Sequence, residues 1–269
     1  MLTAPRFGTQ PISRRRALRV GAAVAIATVT TGCSGDWQEQ DGAPHTDGAR
    51  LKARPNRKRA GAAPGLADLA LDANRQCLLY VPPSYTAEKP APFVLGLHGA
   101  TQRAAGHMNL IRPYAEAAGL ILLAIDSHGN SWDAIRGDFG VDIALIDAAL
   151  TKAFDRCSVD PARACVEGFS DGATYAIALG RANGDLFRRT VAFSPGFVIP
   201  AEPHDKTRFF ISHGTRDAIL PIDRAGRPVV AELRREGFEV EFREFDGPHT
   251  VPPDIAKAAA SWVANGDRG

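Results

Sequence analysis

The sequence Gly168-Phe169-Ser170-Asp171-Gly172 lies between a short apolar run and an alanine-rich stretch of helical character. Its two glycines allow a sharp turn from a strand into a helix, because glycine tolerates backbone conformations and close contacts that other residues do not. Such a turn strains the backbone at Ser170 and holds the serine hydroxyl away from the sheet. The pentapeptide therefore predicts an α/β fold with an accessible serine at the end of a strand.

Two further residues follow this serine in the order acid, then histidine. A serine hydroxyl is a weak nucleophile and needs a base within hydrogen-bond reach. His249 follows the last predicted strand, where such a base is expected, and Asp217 is the candidate acid that orients it. Asp223 and Asp246 stay open as alternative acids. We therefore predict that Ser170, Asp217 and His249 form a catalytic triad.

A tetrahedral intermediate would need two backbone N–H donors for its oxyanion. One is predicted to be the N–H of Asp171, directly after the serine. The other comes from the loop after Gly99, at Ala100 or Thr101. The carboxylate of Asp171 would oppose a developing negative charge, so we expect it to face solvent or to pair with an arginine.

Apolar runs alternate with helical stretches along the rest of the chain. This alternation predicts a mostly parallel, doubly wound sheet with helices on both faces. In such sheets the ligand site lies beyond the carboxyl ends of the strands, which is where the candidate residues fall. The predicted strands are Ala67 to Leu71, Gln76 to Val81, Phe93 to Leu97, Leu120 to Ile125, Ala162 to Glu167, Thr190 to Phe193, Arg208 to Ser212 and Phe238 to Phe242. The predicted helices are Leu110 to Ala118, Val141 to Phe154, Ala173 to Ala182, Ala225 to Glu236 and Ile255 to Val263.

Taken in order, these motifs resemble the α/β-hydrolase superfamily. The chain is similar to its small, lidless esterases: the phospholipase/carboxylesterase and dienelactone-hydrolase group, and secreted polyhydroxybutyrate-depolymerase or feruloyl-esterase-like enzymes. The matching pieces are Leu97-His98-Gly99-Ala100, Val159-Asp160-Pro161-Ala162-Arg163, Gly168-Phe169-Ser170-Asp171-Gly172-Ala173, Ser212-His213-Gly214-Thr215-Arg216-Asp217 with Leu220-Pro221, and Gly247-Pro248-His249.

The resemblance implies hydrolysis of carboxylic esters through an acyl-enzyme, with no cofactor and no large lid. The substrate would be a small-molecule or polymeric ester. A serine peptidase of related fold and a non-catalytic, hydrolase-like binding protein remain alternatives. Trp132 and Phe197 lie in loops at the predicted site and are candidates for an apolar substrate wall, or equally for loop anchors packed on the core.

Residues 1–33 are typical of an export signal. Arg14, Arg15 and Arg16 precede an uncharged run that is too short to cross a bilayer as a helix. The pattern resembles a twin-arginine signal, which predicts a periplasmic, cell-surface or secreted protein. Thr30 to Ser34 resembles a bacterial lipobox, so a lipidated Cys33 would tether the protein to a membrane. Cleavage by ordinary signal peptidase is the alternative.

Residues 34–65 are polar and basic and are predicted to be a disordered linker, because they offer too little apolar surface to offset their ordering entropy. Residues 66–269 then form one catalytic domain. The formal net charge of the 269-residue chain is only +2, which argues against a dedicated nucleic-acid binder. The oligomeric state stays open.

Three cysteines lie beyond the leader. Cys157 and Cys165 flank the Asp160-Pro161 dipeptide, and a disulfide across this predicted turn is slightly favoured over two buried thiols. Cys77 has no evident partner. No histidines lie close to these cysteines in sequence, so no metal site is expected.

Overall fold

The structure, a computed structural model, describes residues 46–55 and 61–265. The predicted export signal over residues 1–33, including Cys33, lies outside the described residues, as does the first part of the predicted linker, residues 34–45.

Within the described residues, eight strands form one sheet in the order β1-β2-β4-β3-β5-β6-β7-β8. β1 and β2 are antiparallel to their neighbours, and all other pairs are parallel. The mostly parallel sheet predicted from the sequence is confirmed. The strands are β1 (Gly65–Asp68), β2 (Cys77–Val81), β3 (Ala91–Leu97), β4 (Ile121–Ile125), β5 (Val159–Phe169), β6 (Arg189–Phe193), β7 (Arg208–Gly214) and β8 (Val240–Phe245).

In the part of the chain that the structure describes, five α-helices cover the two faces of the sheet. α1 and α5 pack on one face, while α2, α3 and α4 pack on the other. Side chains of β3 alternate between the two cores, with Phe93 and Leu95 on one side and Val94 on the other, as a strand buried on both faces requires. The helices are α1 (Ala104–Ala118), α2 (Val141–Arg156), α3 (Asp171–Ala182), α4 (Gly226–Arg235) and α5 (Pro253–Ala264).

None of the helices in the described part of the chain is long and apolar enough to cross a membrane.

β5 is longer than predicted, because the Asp160-Pro161 dipeptide lies inside it. Ala91 of β3 pairs with Val159, but Phe93 pairs with Ala164, so the register shifts between these pairs. A proline removes one ladder hydrogen bond and is accommodated at such an irregularity. β5 therefore starts before the irregularity and still ends at Phe169, directly before Ser170.

The predicted disordered linker is wrong for residues 46–55, here called the N-terminal strap. The strap lies against the domain, with Leu51 2% and Ala53 7% exposed. The side-chain oxygen of Asn183 accepts the N–H of Leu51 at 2.8 Å, and Asp147 Oδ1 accepts the N–H of Ala53 at 2.8 Å. Two buried apolar side chains and a set of long-range hydrogen bonds therefore order a segment that its composition predicts to be disordered.

The three cysteines in the described residues, Cys77, Cys157 and Cys165, are buried and unpaired. Cys157 and Cys165 do not form the disulfide that their spacing slightly favours, and Cys77 is also a free thiol. Burial raises the pKa of the Cys157 thiol to about 11, with a small opposing effect from Arg156. A thiol in this environment stays protonated and chemically inert at neutral pH.

Candidate active site

Ser170 occupies the turn between β5 and α3, in a conformation that few non-glycine residues adopt. Its φ of 57° and ψ of −120° are fixed by flanking hydrogen bonds. The N–H of Ser170 donates to Phe193 O at 2.9 Å, and Ser170 O accepts the N–H of Thr174 at 3.0 Å. Strain of this kind persists only where surrounding structure enforces it, and it clusters at functional sites.

The two glycines of the pentapeptide are required by close backbone contacts. A Cβ atom on Gly168 would lie 2.2 Å from Gly172 O, and one on Gly172 would lie 2.1 Å from Leu97 O. Both distances are far below van der Waals contact, so β5, α3 and the end of β3 approach this closely only with glycine at these positions. The same contacts place Ser170 beside the loop that follows Leu97.

Ser170, His249 and Asp217 form a hydrogen-bonded chain. His249 Nε2 lies 2.9 Å from Ser170 Oγ, and His249 Nδ1 lies 2.6 Å from Asp217 Oδ2. A carboxylate only accepts, so Nδ1 carries the proton and Nε2 of the neutral ring is free to accept from the serine hydroxyl. The ring of Phe169 packs against the imidazole, with centroids 4.8 Å apart. The structure thus brings together three residues that are separated by up to 79 positions.

Asp217 is held by more donors than His249 alone. Its Oδ1 accepts the N–H groups of Ile219 at 2.9 Å and Leu220 at 2.8 Å. Burial acts to raise the pKa of Asp217, but the hydrogen bonds from Leu220 and His249 outweigh it, and the pKa is lowered. The carboxylate therefore stays charged at neutral pH, as a group that orients an imidazole must.

The alternative acids are engaged elsewhere. Asp223 pairs with Arg227, and Asp246 pairs with Arg216 at 2.9 Å. The carboxylate that reaches His249 is that of Asp217.

Two of the three predicted oxyanion donors fit that role. The N–H of Thr101 donates to Asn130 O at 2.6 Å and is therefore occupied. Among the described residues, none accepts the N–H of Ala100 or of Asp171. Of Ala100 and Thr101, which the sequence left open, Ala100 is therefore the candidate whose N–H is not already bonded.

The sequence predicts that the side chain of Asp171 faces solvent or pairs with an arginine. The structure shows a different arrangement. The side chain is half-buried and accepts a hydrogen bond from Ser131 Oγ. This contact fixes the loop after β4 against the first residue of α3. Ser131 is a residue that sequence reasoning missed, and a lone serine in a loop gives no signal of such a contact.

Of the two candidate wall residues, only Phe197 is available to a substrate. Trp132 is 1% exposed, its Nε1 donates to His98 O at 2.9 Å, and its ring stacks on Tyr175. Of the two roles that the sequence leaves open for Trp132, these contacts support the loop anchor and contradict the substrate wall. Phe197 is 47% exposed.

His98 shapes the loop that carries Ala100. The N–H of Ser127 donates to His98 Nε2 at 3.0 Å, which leaves Nδ1–H to donate to Gly99 O at 2.8 Å. Burial lowers the pKa of this imidazole. A neutral His98 with both nitrogens bonded is a structural residue.

Among the described residues, no group of three or more His, Cys, Asp or Glu side chains is arranged to hold a metal ion.

No family model matches the chain. Its sequence is 31% identical over 158 residues to probable feruloyl esterase C of Aspergillus oryzae, covering 56% of this chain and 57% of that protein. It is 29% identical over 157 residues to feruloyl esterase C of Emericella nidulans, covering 55% of this chain and 57% of that protein. The match therefore spans little more than half the length of these curated relatives.

Among solved structures, S-formylglutathione hydrolase (FrmB) of Staphylococcus aureus is similar with a TM-score of 0.60 at 16% sequence identity. The alignment covers 75% of this chain and 99% of that protein. At this identity the likeness establishes the fold.

Proposed function

We propose that this chain, which has the α/β-hydrolase fold, is an exported serine esterase that cleaves carboxylic esters through an acyl-enzyme. The observation that carries the proposal is the hydrogen-bonded chain from Ser170 Oγ through His249 to Asp217. The sequence similarity to proteins named feruloyl esterases supports the ester as the bond that is cleaved. The export-signal pattern of residues 1–33 supports a location outside the cytoplasm.

In the acylation half, Ser170 Oγ attacks the carbonyl carbon of the ester while His249 Nε2 takes the hydroxyl proton. The carbonyl oxygen becomes an oxyanion and is held by the N–H groups of Asp171 and Ala100. The carbon–oxygen bond to the alcohol then breaks, and His249 Nε2 returns its proton to the departing alcohol oxygen. Asp217 stabilises the imidazolium in between and keeps Nδ1–H pointed at its carboxylate.

The deacylation half repeats these steps with water. A water molecule gives a proton to His249 Nε2 and its oxygen attacks the acyl carbon on Ser170. The second oxyanion collapses, the bond to Ser170 Oγ breaks, and the serine recovers a proton from His249. The products are the carboxylic acid and the free enzyme, and no step needs a group that the chain lacks.

The position of Ser170 at the amino end of α3 adds to this chemistry. The first N–H groups of a helix have no partner within the helix and carry partial positive charge. The oxyanion held by the N–H of Asp171, the first residue of α3, lies at this end. The helix therefore stabilises charge that develops only during the reaction.

Hydrolysis assays on the mature protein test the proposal. A panel of p-nitrophenyl esters run beside peptide anilides should show turnover of the esters, with activity lost in Ser170→Ala and in His249→Ala. His204→Ala is the matched control, since His204 is exposed and its Nε2 faces Asp185 at 3.8 Å instead of a triad residue. Turnover of the anilides instead would identify a peptidase, and a folded protein active on neither set would be a binding protein.

A further inference from the structure

Two adjacent residues in the loop after β4, Asn130 and Ser131, bond to two different parts of the chain. Asn130 O accepts the N–H of Thr101 at 2.6 Å, in the loop after β3. Ser131 Oγ donates to the carboxylate of Asp171, the first residue of α3. These two parts of the chain carry the proposed oxyanion donors, which are the N–H of Asp171 and the N–H of Ala100. We call the Asn130-Ser131 dipeptide the bridge.

On the β3 side, the bridge holds a strained backbone. Thr101 has a φ of 61°, in the left-handed region that β-branched residues rarely occupy. Such a conformation persists where surrounding contacts enforce it, and the hydrogen bond from Thr101 N–H to Asn130 O is one of these contacts. Because Ala100 directly precedes Thr101, the same hydrogen bond limits the direction in which the N–H of Ala100 points.

On the α3 side, the bridge ends on a carboxylate. A negative charge beside a developing oxyanion opposes it, so the charge of Asp171 alone gives no benefit to the reaction. A hydrogen bond from a hydroxyl to a carboxylate is roughly twice as strong as one between neutral groups. Ser131 Oγ makes this bond, and the half-buried position of Asp171 shields it from water. The carboxylate thus gives the loop a strong attachment to the start of α3.

The bridge is anchored to the core on both sides. Directly after it, Trp132 is 1% exposed, and its Nε1 donates to His98 O at 2.9 Å. Before it, the N–H of Ser127 donates to His98 Nε2 at 3.0 Å. A loop held in this way presents its tip with little freedom. That rigidity matters at this place, because catalytic groups must be held within about 0.5 Å of their productive geometry.

We propose that Ser131 is a positioning residue of the oxyanion hole. Through the bridge, it fixes the distance between the N–H groups of Ala100 and Asp171. The inference rests on the proposed esterase function. Donors of this kind bind the carbonyl oxygen most strongly once it has become an oxyanion, so the bridge acts on the transition state more than on the bound ester. Loss of the bridge should therefore lower kcat and leave KM nearly unchanged.

The first experiment measures kcat and KM of Ser131→Ala and Ser131→Thr on p-nitrophenyl acetate. Removal of a whole oxyanion donor lowers kcat by about 10²–10³-fold, and a displaced donor should cost less, so we expect Ser131→Ala to lower kcat about tenfold. KM should stay within about twofold of wild type. Ser131→Thr keeps the hydroxyl and should restore most of the rate. Ser261→Ala is the control, because Ser261 is exposed on α5, on the opposite face of the sheet from α3.

Two variants of Asp171 separate the bridge from simple charge repulsion. Asp171→Asn keeps an oxygen that accepts the hydroxyl of Ser131, whereas Asp171→Ala removes both the acceptor and the charge. If the hydrogen bond positions the oxyanion hole, kcat of Asp171→Asn should exceed that of Asp171→Ala by about tenfold. If the carboxylate only repels the oxyanion, both variants should be faster than wild type by similar factors, and the inference is overturned. This pair of variants carries the test should Ser131→Ala fail to fold.

Inhibition by phenyl trifluoromethyl ketone gives a readout that a merely structural role would not move. Ser170 Oγ adds to the ketone carbon, His249 takes the hydroxyl proton, and the ketone oxygen becomes an oxyanion. The inhibition constant should therefore rise in Ser131→Ala by the factor by which kcat/KM falls.

An unchanged inhibition constant, a loss confined to KM, or an equal loss of kcat in Ser131→Thr would overturn the inference. These results leave the esterase proposal intact as long as the wild type hydrolyses the ester. A folded wild-type protein that neither hydrolyses the ester nor binds the ketone would overturn the esterase proposal as well.

Discussion

His213 Nε2 lies 3.2 Å from Asp217 Oδ2, the same oxygen that faces His249. His213 is fully buried, and burial lowers the pKa of its imidazole, so the ring is neutral. Its Nε2 also lies 2.7 Å from Leu220 O, which can only accept, so Nε2 carries the proton. One buried histidine therefore supports both the triad carboxylate and the turn that carries Ile219.

Replacement of His213 by phenylalanine should impair catalysis through Asp217. The variant keeps an aromatic ring but removes the donor, and a hydrogen bond to a charged group is worth about 1.5–3 kcal/mol. We expect kcat/KM to fall about tenfold or more. Without the hydrogen bond from His213, the carboxylate of Asp217 stabilises the imidazolium form of His249 more strongly. Protonated His249 cannot accept the serine proton, so the fall of kcat/KM at low pH, the acid limb of the profile, should begin at higher pH.

His213→Gln is the matched control for this prediction, because its amide can reach the position of Nε2 and restore a donor. It should recover part of the rate and bring the acid limb back toward wild type. If both variants lose activity equally with an unmoved pH profile, His213 only packs the loop and does not act on Asp217.

Gly172→Ala should prevent the sharp turn from β5 through Ser170 into α3, here called the elbow, from forming. The added Cβ would lie 2.1 Å from Leu97 O, a backbone atom that cannot move aside without breaking β3. Overpacking typically lowers the free energy of unfolding by about 1–3 kcal/mol. Because the added Cβ of Gly172→Ala clashes with backbone, we expect a loss of about 3 kcal/mol or more. Urea unfolding and ester hydrolysis would both report the loss.

Gly106→Ala is the control for the elbow variant. Gly106 lies inside α1, and nothing lies within 4 Å of a Cβ built there. Alanine is favoured over glycine in a helix by about 0.5–1 kcal/mol, so this variant should be slightly more stable than wild type. A stable, fully active Gly172→Ala enzyme would show that the elbow geometry is described wrongly.

The strap should contribute to the stability of the domain. Deletion of residues 1–60 removes the strap and leaves the amide of Asn183 without its two strap contacts, the N–H of Leu51 and Ala49 O. A buried polar group left unsatisfied costs about 1–3 kcal/mol, so thermal and urea unfolding should shift to less stable values. Deletion of residues 1–44, which keeps the strap, should leave a more stable protein than deletion of residues 1–60. Equal stability of the two truncated proteins would contradict a structural role for the strap.

The strap should also make stability depend on acid pH through Asp185. Burial acts to raise the pKa of this carboxyl, but hydrogen bonds from Arg50 and Arg54 outweigh it and lower the pKa to about 2. A folded-state pKa below the unfolded value stabilises the protein fully above about pH 4, and this contribution is lost as the pH falls toward 2.

The measurement is the free energy of unfolding of wild type and Asp185→Asn between pH 2 and pH 7. The difference between the two proteins should be constant above about pH 4 and should shrink as the pH falls. Asp138→Asn, at an exposed position in another loop, should show no such trend. A difference that is flat across the whole range would mean that Asp185 is not held by the strap arginines.

The sheet and its helices were predictable because each element has a strong local signal. Buried parallel strands such as β4 are continuous apolar runs, and the helices between them carry apolar stripes. The beginning of α1 was placed six residues late, at Leu110 instead of Ala104, because its first turn has no capping side chain to mark it. The strap was missed because the contacts of Leu51 with Asn183 join residues 132 positions apart, which composition does not reveal.

The candidate triad residues followed from their order and from their positions at strand ends. The contacts around the triad could not be predicted in this way. They depend on Trp132, Ser131 and His213, whose partners come near only in the folded chain. Trp132 shows this limit: its sequence position is equally compatible with a substrate wall and a loop anchor, and only the hydrogen bond to His98 O in the folded chain identifies it as part of the core.

Labelling of the mature protein with a fluorophosphonate probe, with the modified residue located by mass spectrometry, tests the central claim most directly. The account predicts that the probe bonds to Ser170 Oγ, that labelling disappears in Ser170→Ala, and that it slows sharply in His249→Ala. A folded wild-type protein that stays unlabelled, or one labelled equally well after Ser170→Ala, would contradict it.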